Sequence, residues 1–520
     1  MRNPPKSAAP FGFAFPRPPA GGGGRTLRLF DLIGGEDMAL AANKALRNVE
    51  VTGLSSDSRA VQPGNLFAAL PGTRHDGRAF MGHALERGAG AILALPGTAL
   101  PPQYADIPVV LDNQPARRFS LMAARFYKTQ PEVVAAVTGT NGKTSVACFL
   151  RQIWAHGGLA AASLGTLGLC APGIDEPGAL TTPDPVMLHQ TLSRLAESGI
   201  SHLVVEASSH GIEQFRLDGV RLDAAAFTNL SRDHLDYHGT EEAYFAAKAQ
   251  LFSRVLPTGA MAVLNADAPE FAALEEIARS RGQRIISYGV DGRDVRIARG
   301  RPHGFGQMAS FEIAGRLHDV HLPLVGAFQI ANVACALGLF IAAGGEAGAA
   351  LEALQGLEGA PGRMEYIGAR ANGAAVFVDY AHTPDALAHA LAALRPHTKS
   401  ALAVVFGCGG DRDKGKRPAM GRIAAEAADR VIVTDDNPRT EDAAAIRREI
   451  LAGMRASAAV TEIAARGTAI ATAIAGLEPG DVLVIAGKGH ERGQIVGDDV
   501  LPFDDREEAA RALGAMGEAT

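Results

Sequence analysis

The sequence is poor in cysteine and has no long apolar run. Only four of its 520 residues are cysteine, and they form no C-x-x-C pair, which argues against a disulfide framework and a cysteine-based zinc site. No apolar run is long enough to span a membrane, and the first residues lack the continuous apolar core of a signal peptide. We therefore expect a protein of the reducing cytoplasm with no membrane insertion.

Excess charge of one sign is also absent. The 50 basic and 56 acidic residues leave a formal net charge of -6, which disfavours a general nucleic-acid binder. Any anionic ligand must then be held by local clusters of arginine and lysine. The composition is 47% hydrophobic and 20% charged, which is typical of a globular enzyme with large cores. The length is sufficient for about three domains.

What is present is an alternation of strand-like and helix-like segments. Residues 1–24 are rich in Pro and Gly, and we expect them to be a disordered tail with no role in the chemistry. The predicted fold is α/β with three domains: a smaller N-terminal α/β domain (25–131), a central domain with a doubly wound, mostly parallel sheet of the P-loop type (132–358), and a Rossmann-like C-terminal domain (359–520). The strands predicted in the last two domains are 133–137, 203–205, 225–227, 261–264, 285–288, 375–378, 401–406, 430–433 and 482–485.

The most informative stretch is a glycine-bearing loop between a predicted strand and a predicted helix. The apolar run Val133–Val137 leads into Thr-Gly-Thr-Asn-Gly-Lys-Thr (138–144), and a helical pattern follows. In such a loop backbone N–H groups surround phosphate oxygens, while Lys143 supplies a charge and Thr144 a hydroxyl for Mg²⁺. The loop is a shortened form of G-x-x-x-x-G-K-[ST], since Val137 stands where that pattern has its first Gly. An ordinary tight turn is the alternative, but the strand–loop–helix context favours nucleotide binding.

Two other segments offer groups for a metal ion beside phosphates. Glu206 follows a predicted strand, where a carboxylate could bind Mg²⁺, and a solvated or capping Glu is the alternative. His210 fits a role near the metal or a structural role equally well. Lys248 shares one face of a predicted helix, 241–252, with apolar neighbours. It could extend to solvent, or be buried as a neutral amine that takes up CO₂ to form a carbamate; the pattern leaves both open.

Three loops follow predicted strands of the last domain. They are Gly407–Arg417, Asp435–Glu441 and Gly487–Glu491. Because the carboxyl ends of parallel strands lie at one edge of a sheet, these loops should line a common cleft. Their Arg side chains can bind carboxylates, and their Asp, Asn and Glu side chains can accept ammonium hydrogens. Each loop alone could be ordinary turn chemistry, but together they favour a site for an amino acid.

Seven segments, in this order, resemble the Mur ligases of peptidoglycan synthesis. They are Thr-Gly-Thr-Asn-Gly-Lys-Thr (138–144), Glu-Ala-Ser-Ser-His-Gly (206–211), Asn-Leu-Ser-Arg-Asp-His-Leu-Asp-Tyr-His-Gly (229–239), Gly-Arg-Met-Glu (362–365), Asp-Tyr-Ala-His-Thr-Pro-Asp (379–385), Asp-Asn-Pro-Arg (436–439) and Gly-Lys-Gly-His-Glu (487–491). Folylpolyglutamate synthases share the short loop and a modified lysine, but Asp-Asn-Pro-Arg and the first domain argue against them. A nucleotide-binding protein with a dead site is the other alternative, and the intact Lys143, Glu206 and Lys248 argue against it.

The resemblance implies an ATP-dependent amide-bond ligase. In it, ATP phosphorylates the terminal carboxylate of UDP-N-acetylmuramoyl-L-alanyl-D-glutamate, and the amine of meso-2,6-diaminopimelate then attacks the acyl phosphate. The implied cofactors are ATP and Mg²⁺, with N6-carboxylysine at Lys248. The partners are small-molecule substrates, and we expect a monomer.

The resemblance also implies roles for individual residues. Catalytic roles fall to Lys143, Glu206, His210 and Lys248, and metal binding to Thr144, Glu206 and Lys248. The nucleotide contacts are Gly139, Thr140, Asn141, Gly142, Lys143, Thr144, Ser145, Asn332, Arg363 and Asp379. The contacts to the UDP-muramoyl peptide are Ser56, Ser58, Thr73, Arg74, His75, Thr181, Thr182, Ser208, Gln214 and Arg216. The contacts to the incoming amino acid are Arg412, Asp436, Asn437, Pro438, Arg439, Gly487 and Glu491. Arg439 and Arg412 would bind the distal carboxylate of diaminopimelate, which lysine lacks.

Overall fold

Parallel strands connected by helices form the framework of this computed structural model, which describes residues 25–34, 48–72, 75–231, 233–454 and 459–517. The predicted tail, 1–24, and the predicted substrate contacts Thr73 and Arg74 lie outside the described residues. The chain divides into two compact units. The first is Met1–Lys143, Gly158–Leu264 and Ala268–Ile286, and the second is Thr144–Gly157, Asn265–Asp267 and Ser287–Thr520.

The strands of the described residues are short and mostly apolar. They are β1 (Leu27–Arg28), β2 (Glu50–Val51), β3 (Gly53–Ser55), β4 (Asn65–Ala68), β5 (Ala91–Ala94), β6 (Val109–Leu111), β7 (Val133–Thr138), β8 (Ala161–Gly165), β9 (Gly168–Ala171), β10 (Ile174–Glu176), β11 (His202–Glu206), β12 (Ala224–Phe227), β13 (Met261–Asn265), β14 (Arg284–Gly289), β15 (Val295–His303), β16 (Gly306–Ile313), β17 (Arg316–Leu322), β18 (Glu365–Ala369), β19 (Ala375–Asp379), β20 (Leu402–Phe406), β21 (Arg430–Val433), β22 (Ala459–Glu462), β23 (Val482–Ala486), β24 (Gly493–Val496) and β25 (Asp499–Pro502).

The α-helices connect these strands. They are α1 (Leu29–Ile33), α2 (Met81–Glu86), α3 (Pro115–Tyr127), α4 (Lys143–His156), α5 (Pro185–Glu197), α6 (Ser209–Glu213), α7 (Leu235–His238), α8 (Glu241–Gln250), α9 (Phe271–Ser280), α10 (Ala327–Ala342), α11 (Ala347–Ala353), α12 (Pro384–Leu394), α13 (Lys416–Ala427), α14 (Ala443–Ala452), α15 (Arg466–Ala475) and α16 (Asp505–Gly517). Local sequence fixes several of their starts. Asp184 caps α5 and Thr383 caps α12, each followed by a proline at the first helical position. Among the described residues, no helix is long and apolar enough to cross a membrane.

The first unit contains the short antiparallel pair β1–β2 and two larger arrays of strands. One is the parallel four-stranded sheet β3-β4-β5-β6. In the other, β8, β11, β7, β12 and β13 are adjacent and parallel, and β9 and β10 continue from β8 in antiparallel pairing. Residues Val134–Thr138 of the central strand β7 have no exposed surface. A parallel strand covered on both faces needs such a continuous run of small apolar side chains.

The second unit contains β15–β25 and the second half of β14. Its six-stranded sheet has the order β18-β19-β23-β20-β21-β22, with β18 antiparallel and the other neighbouring pairs parallel. Strands β14 and β15 pair in parallel, β15, β16 and β17 form an antiparallel meander, and β24 and β25 form a hairpin. The loops after β19, β20, β21 and β23 therefore leave one edge of the same sheet, where ligand sites of open parallel sheets lie.

The predicted α/β class with mostly parallel sheets is confirmed. Each of the nine predicted strands of the last two domains corresponds to a strand whose ends differ by at most one residue. Strands β8, β9 and β10 and the antiparallel meander β15–β17 were not predicted from the sequence. The predicted helix 241–252 is wrong at its end, because the α-helix stops at Gln250 and continues as a wider π-helical turn, Leu251–Val255, closed by a bond from the N–H of Leu256 to the carbonyl of Leu251.

Candidate active site

The glycine loop follows β7 and leads directly into α4. Gly139 and Gly142 have φ angles of 145° and 89°, a conformation that favours glycine. A Cβ on Gly139 would lie 1.8 Å from Oγ1 of Thr228, so a larger residue would also collide. Thr144 and Ser145 are buried in the first turn of α4. The loop thus has the backbone form, and the position before a helix, that suit a phosphate.

The first half of this loop is held by the segment that follows β12. The N–H of Thr140 donates to the carbonyl of Asn229 at 2.8 Å, and the N–H of Asn141 donates to the side-chain oxygen of Asn229 at 3.0 Å. The Thr228 hydroxyl donates to the carbonyl of Asn141 at 2.6 Å. Sequence reasoning gave Thr228 and Asn229 no role, although two polar residues directly after a buried strand were a usable signal.

Two lysines converge on one carbonyl oxygen of the loop. The Lys143 ammonium donates to the carbonyls of Gly139 at 2.8 Å and Thr140 at 2.9 Å, and the Lys248 side-chain nitrogen donates to the carbonyl of Gly139 at 2.8 Å. Lys248 is only 1% exposed, and its Nζ lies 4.3 Å from the centre of the Tyr244 ring. Extension of Lys248 to solvent is therefore wrong. Burial, and secondly the charge of Lys143, lower the pKa of Lys248 well below its ordinary value, which favours the neutral amine.

Glu206 lies at the end of β11 and is 2% exposed. Its carboxylate accepts hydrogen bonds from the N–H of Thr166 at 2.9 Å and from the Thr166 hydroxyl at 3.0 Å. A Cβ on Gly165 would lie 2.1 Å from this carboxylate, so glycine is needed beside it. The Thr166 hydroxyl is also 3.1 Å from that of Thr181. Sequence reasoning did not identify Thr166, which follows a strand that it did not predict.

The candidate metal donors are few. Among the described residues, no group of three or more His, Cys, Asp or Glu side chains could hold a metal ion. Glu206 in the first unit offers a buried carboxylate and Thr144 in the second a buried hydroxyl, and each is a kind of ligand that Mg²⁺ takes together with waters and phosphate oxygens. The residues present therefore suit Mg²⁺ that arrives with a nucleotide.

His210 belongs to a group of aromatic rings. Its ring centre is 4.1 Å from that of Tyr237, 5.0 Å from that of His234 and 5.4 Å from that of His238. His238 is anchored by a 3.0 Å contact between its Nε2 and the Ser209 hydroxyl. His234 is exposed and has a φ of 52°, an unusual conformation for a residue with a Cβ. Sequence reasoning quoted His234 within a motif but assigned it no role.

Five predicted substrate contacts lie beside Glu206: Thr181, Thr182, Ser208, Gln214 and Arg216. The Thr182 hydroxyl donates to the carbonyl of Glu206 at 2.8 Å and lies 3.1 Å from the Ser208 hydroxyl. The Arg216 guanidinium donates to the carbonyl of Thr182 and to the side-chain oxygen of Gln214, each at 2.6 Å. These residues form one connected polar group.

The predicted uridine contacts are separate from that group. Ser56 and His75 are exposed, whereas Ser58 is buried, with its hydroxyl 3.0 Å from Nδ1 of His83. Among the described residues, no hydrogen bond joins these serines or His75 to the polar group around Glu206.

In the second unit, Asp379 organises one predicted nucleotide-binding cluster. Its carboxylate accepts from the N–H groups of Met364 at 2.7 Å and Ala381 at 2.9 Å. The Arg363 guanidinium lies 4.3 Å above the Tyr380 ring, and within the described structure its buried Nε has no hydrogen-bond partner. Burial raises the pKa of Asp379 above its ordinary value, and Arg363 opposes this rise.

Asn332, another predicted nucleotide contact, is buried on α10. Its side-chain amide donates to the side-chain oxygen of Gln329, one turn earlier, at 2.9 Å. The two amides thus fix each other's orientation on the helix.

The predicted amino-acid contacts lie in the three loops at the carboxyl edge of the six-stranded sheet. Asn437 donates to the Glu491 carboxylate at 2.9 Å. Lys488 has no exposed surface, and its ammonium donates to Asn437 at 2.9 Å and Glu491 at 3.2 Å. Sequence reasoning assigned Lys488 no role, although a lysine between two glycines directly after a buried strand was a signal. A buried cation thus orients two predicted substrate contacts.

The two predicted carboxylate-binding arginines flank Gly409. A Cβ at this position would lie 2.8 Å from a guanidinium nitrogen of Arg439 and 3.9 Å from Cγ of Arg412. Arg439 is half-buried, has a φ of 52° and donates to the carbonyl of Gly410 at 2.8 Å, while Arg412 is exposed. The fold therefore brings both cations to one loop.

The other loop residues pack closely around these side chains. A Cβ on Gly487, whose φ is 118°, would lie 2.7 Å from the Asp436 carboxylate, and one on Gly410 would lie 1.9 Å from the Pro438 carbonyl. Gln494 on β24 donates to the carbonyl of Asp436 at 2.6 Å. Glycine is thus required where the loops meet.

Three models of known protein families match this chain. The model for the Mur ligase middle domain matches residues 137–340, that for the Mur ligase glutamate ligase domain matches 362–489, and that for the Mur ligase family catalytic domain matches 50–127. Together they match well over half of the chain. The chain belongs to the Mur ligase family. The predicted domain boundaries of this Mur ligase, near 131 and 358, fall between the matched segments and stay a prediction.

Individual relatives match this Mur ligase over nearly its whole length. A UDP-N-acetylmuramoyl-L-alanyl-D-glutamate–2,6-diaminopimelate ligase from Rhizobium meliloti (strain 1021) is 49% identical over 492 residues, covering 94% of this chain and 100% of the relative. A ligase of the same name from Brucella melitensis biotype 1 is 51% identical over 467 residues, covering 90% and 95%. A solved structure of such a ligase aligns with a TM-score of 0.71 and 33% identity, covering 95% of this chain and 99% of the other.

Proposed function

We propose that this Mur ligase joins meso-2,6-diaminopimelate to UDP-N-acetylmuramoyl-L-alanyl-D-glutamate, with ATP as the energy source, in the synthesis of a peptidoglycan precursor. One observation carries the proposal: in a chain about half identical to ligases of that name, Arg439, Arg412, Asn437 and Glu491 form one group at a sheet edge. The reaction needs ATP and a UDP-linked substrate, so we place it in the cytoplasm. The enzyme would act there as a monomer on small molecules.

The first step is phosphoryl transfer at the glycine loop. A carboxylate oxygen of the D-glutamyl residue attacks the γ-phosphorus of ATP, the bond to the β-phosphate oxygen breaks, and ADP leaves. Lys143 and the backbone N–H groups at the start of α4 offset the charge of the phosphate oxygens. Mg²⁺, held by Thr144 and Glu206, would supply further charge stabilisation.

The second step is amide formation. The neutral amine of diaminopimelate attacks the acyl carbon, phosphate leaves, and the amine proton passes to a base or to solvent. Arg439 and Arg412 would hold the distal carboxylate, and Glu491 with Asn437 would hold an ammonium group. Lysine, without that carboxylate, would leave the half-buried Arg439 without its anionic partner, so it should be rejected.

We further propose that Lys248 reacts with CO₂. Its nitrogen would form a bond to the carbon of CO₂ and lose one proton to solvent, leaving a carbamate. The change places a negative charge beside the Lys143 ammonium, since the side-chain nitrogens of Lys143 and Lys248 both contact the Gly139 carbonyl. Besides the Mg²⁺ near Thr144 and Glu206, the reaction would use a second Mg²⁺. The carbamate would support that second ion or a water bound to it.

Phosphate release tests the proposed reaction. With ATP, Mg²⁺ and UDP-N-acetylmuramoyl-L-alanyl-D-glutamate, we expect release that depends on meso-diaminopimelate and a product whose mass equals that of the two joined substrates less one water. L-Lysine should give at least about 100-fold lower kcat/KM. Release with a folate and glutamate instead, or no release with any of these acceptors, would contradict the proposal.

Carbamate formation has its own test. In ¹³C-bicarbonate, the wild-type protein should show a carbamate carbon resonance that Lys248→Met lacks and Lys143→Met retains. The activity of Lys248→Ala should recover in part when a small carboxylate such as formate is added. A resonance that persists in Lys248→Met would show that the labelled group is elsewhere.

A further inference from the structure

The turn that carries two predicted substrate contacts has an unusual residue at its centre. Helix α6 ends with the N–H of Phe215 bonded to the carbonyl of Ile212 at 3.1 Å and the N–H of Arg216 bonded to the carbonyl of Gly211 at 2.9 Å. This pattern is a Schellman motif, whose central position favours glycine. Here it is Phe215, with a φ of 59°. Something outside the turn must hold a residue with a Cβ in this conformation.

Arg254 makes contacts that can do so. Its guanidinium carbon lies 4.5 Å from the centre of the Phe215 ring. Its nitrogens donate to the carbonyl of Ile212, before the turn, at 2.5 Å, and to the carboxylate of Asp218, after the turn. Asp218 is 5% exposed, so this ion pair is well shielded from solvent. One guanidinium thus contacts the turn at its beginning, its centre and its end.

The side chains on either side of Phe215 belong to the candidate active site. Arg216 donates to the carbonyl of Thr182 and to Gln214, and the Gln214 amide donates to the Tyr237 hydroxyl at 3.3 Å. The direction of Arg216 depends on the backbone at Phe215, because a change from the left-handed to the helical region would turn the following residues away. Gln214 depends on it through Arg216, which donates to its side-chain oxygen.

Arg254 also connects this turn to the helix that carries Lys248. It lies in the π-helical turn Leu251–Val255, which directly follows α8, and it donates to the side-chain oxygen of Gln250 at 3.1 Å. Such wide turns are frequent at functional sites, where they redirect a side chain. In a regular α-helix the residues after Gln250 would point in other directions.

From these contacts we infer that Arg254 is a positioning residue for substrate binding. It holds Phe215 in its left-handed conformation and so directs Gln214 and Arg216 towards the UDP-muramoyl peptide. The inference rests on the proposed function and adds Arg254, Phe215 and Asp218 to the residues on which affinity for that substrate depends.

A matched pair of arginines tests it. Arg117 donates to the same Asp218 carboxylate at 3.0 Å but lies on α3, and no contact of Arg117 with Phe215 or Ile212 is found among the described residues. Arg254→Met should raise the KM for the UDP-dipeptide at least tenfold and leave the KM values for ATP and diaminopimelate within twofold. Arg117→Met should change all three by less than threefold. Arg254→Lys, which keeps the charge but not the planar fork, should lie between wild type and Arg254→Met.

Phe215→Val and Phe215→Gly form the second pair of variants. A β-branched residue is disfavoured in the left-handed conformation, so Phe215→Val should raise the KM for the UDP-dipeptide at least fivefold, whereas Phe215→Gly, which adopts that conformation freely, should keep the KM within twofold. If Arg254→Met fails to fold, this pair decides the question with the same measurements, and equal KM values in the two variants would overturn the inference. Equal effects of Arg254→Met and Arg117→Met, or a parallel rise in all three KM values, would also overturn it. If the wild-type enzyme does not use the UDP-dipeptide, the proposed function fails instead, and the two failures are distinct.

Discussion

The glycine loop of the first unit holds charge differently from the three loops at the edge of the six-stranded sheet in the second unit. These loops, Gly407–Arg417, Asp435–Glu441 and Gly487–Glu491, are called the loop cluster below. At the glycine loop, backbone groups hold the side chains: the Gly139 carbonyl accepts hydrogen bonds from Lys143 and Lys248, and the N–H groups of Thr140 and Asn141 donate to Asn229. In the loop cluster, side chains hold one another, as Lys488 holds Asn437 and Glu491. A backbone site suits a group common to many substrates, such as phosphate, whereas a side-chain site can distinguish one amino acid from another.

Removing the charge at the glycine loop should have the largest effect. Lys143→Ala takes away an ammonium that donates to two loop carbonyls, and we expect kcat for phosphate release to fall about 1000-fold, the size found when a preorganised charge-stabilising donor is lost. The KM for diaminopimelate should change little. Steady-state kinetics with each substrate varied in turn measures both. A loss smaller than tenfold would contradict the role given to Lys143.

Removing an arginine of the loop cluster should affect one substrate only. Arg439→Ala should lower kcat/KM for meso-diaminopimelate about 100-fold, because a charge-assisted pair with its carboxylate is lost, and leave the KM for ATP within twofold. Discrimination against L-lysine should shrink, since lysine does not use this contact. Arg448→Ala is the control, because its side chain is 73% exposed and its ion pair with Asp442 is long, at 3.7 Å. An equal fall of kcat/KM for meso-diaminopimelate in the two variants would show that Arg439 does not bind this substrate.

The same contrast explains what could be predicted from the sequence. The glycine loop is local, so one motif predicted its strand, its turn and Lys143. Lys248 was a candidate, but whether it is buried depends on packing against Gly139, 109 residues away, which no local pattern contains. Thr166 was missed for the same reason, since its partner Glu206 comes from another strand end. For Lys488 the distant partner is Asn437, which lies in another loop. The antiparallel β9 and β10 were missed because short strands with mixed burial lack the continuous apolar run of β7.

Lys488 allows stability and binding to be separated in the loop cluster. Lys488→Met should lower the free energy of unfolding by about 2 kcal/mol, less than for a fully buried pair because Glu491 is 35% exposed. It should also raise the KM for diaminopimelate. Adding Glu491→Gln should restore much of the stability, since no unpaired carboxylate remains, without restoring the KM. Urea unfolding and steady-state kinetics of the single and double variants measure both quantities, and recovery of both together would contradict the separation.

A smaller effect should appear in acid. Burial lowers the pKa of His189, which is 4% exposed in the first unit, to about 4. In the unfolded chain His189 binds a proton below about pH 6.5, whereas in the folded chain it does so only near pH 4. The contribution of neutral His189 to the free energy of unfolding is therefore fully present above pH 6.5 and is lost as the pH falls towards 4. His189→Gln should flatten this fall by at most about 3 kcal/mol. Urea midpoints of the two proteins are measured at pH 7.5 and 4.5. An equal fall of the midpoint in both would show that His189 is already protonated in the folded state at pH 4.5.

Trapping of the acyl phosphate tests the division between the two regions most directly. With ATP, Mg²⁺, the UDP-dipeptide and hydroxylamine, but no diaminopimelate, hydroxylamine displaces phosphate from the acyl phosphate and leaves a hydroxamate that can be measured by mass. Arg439→Ala should form the hydroxamate at a rate near that of the wild type, and Lys143→Ala should form almost none. Loss of the hydroxamate in Arg439→Ala, or its retention in Lys143→Ala, would contradict the account.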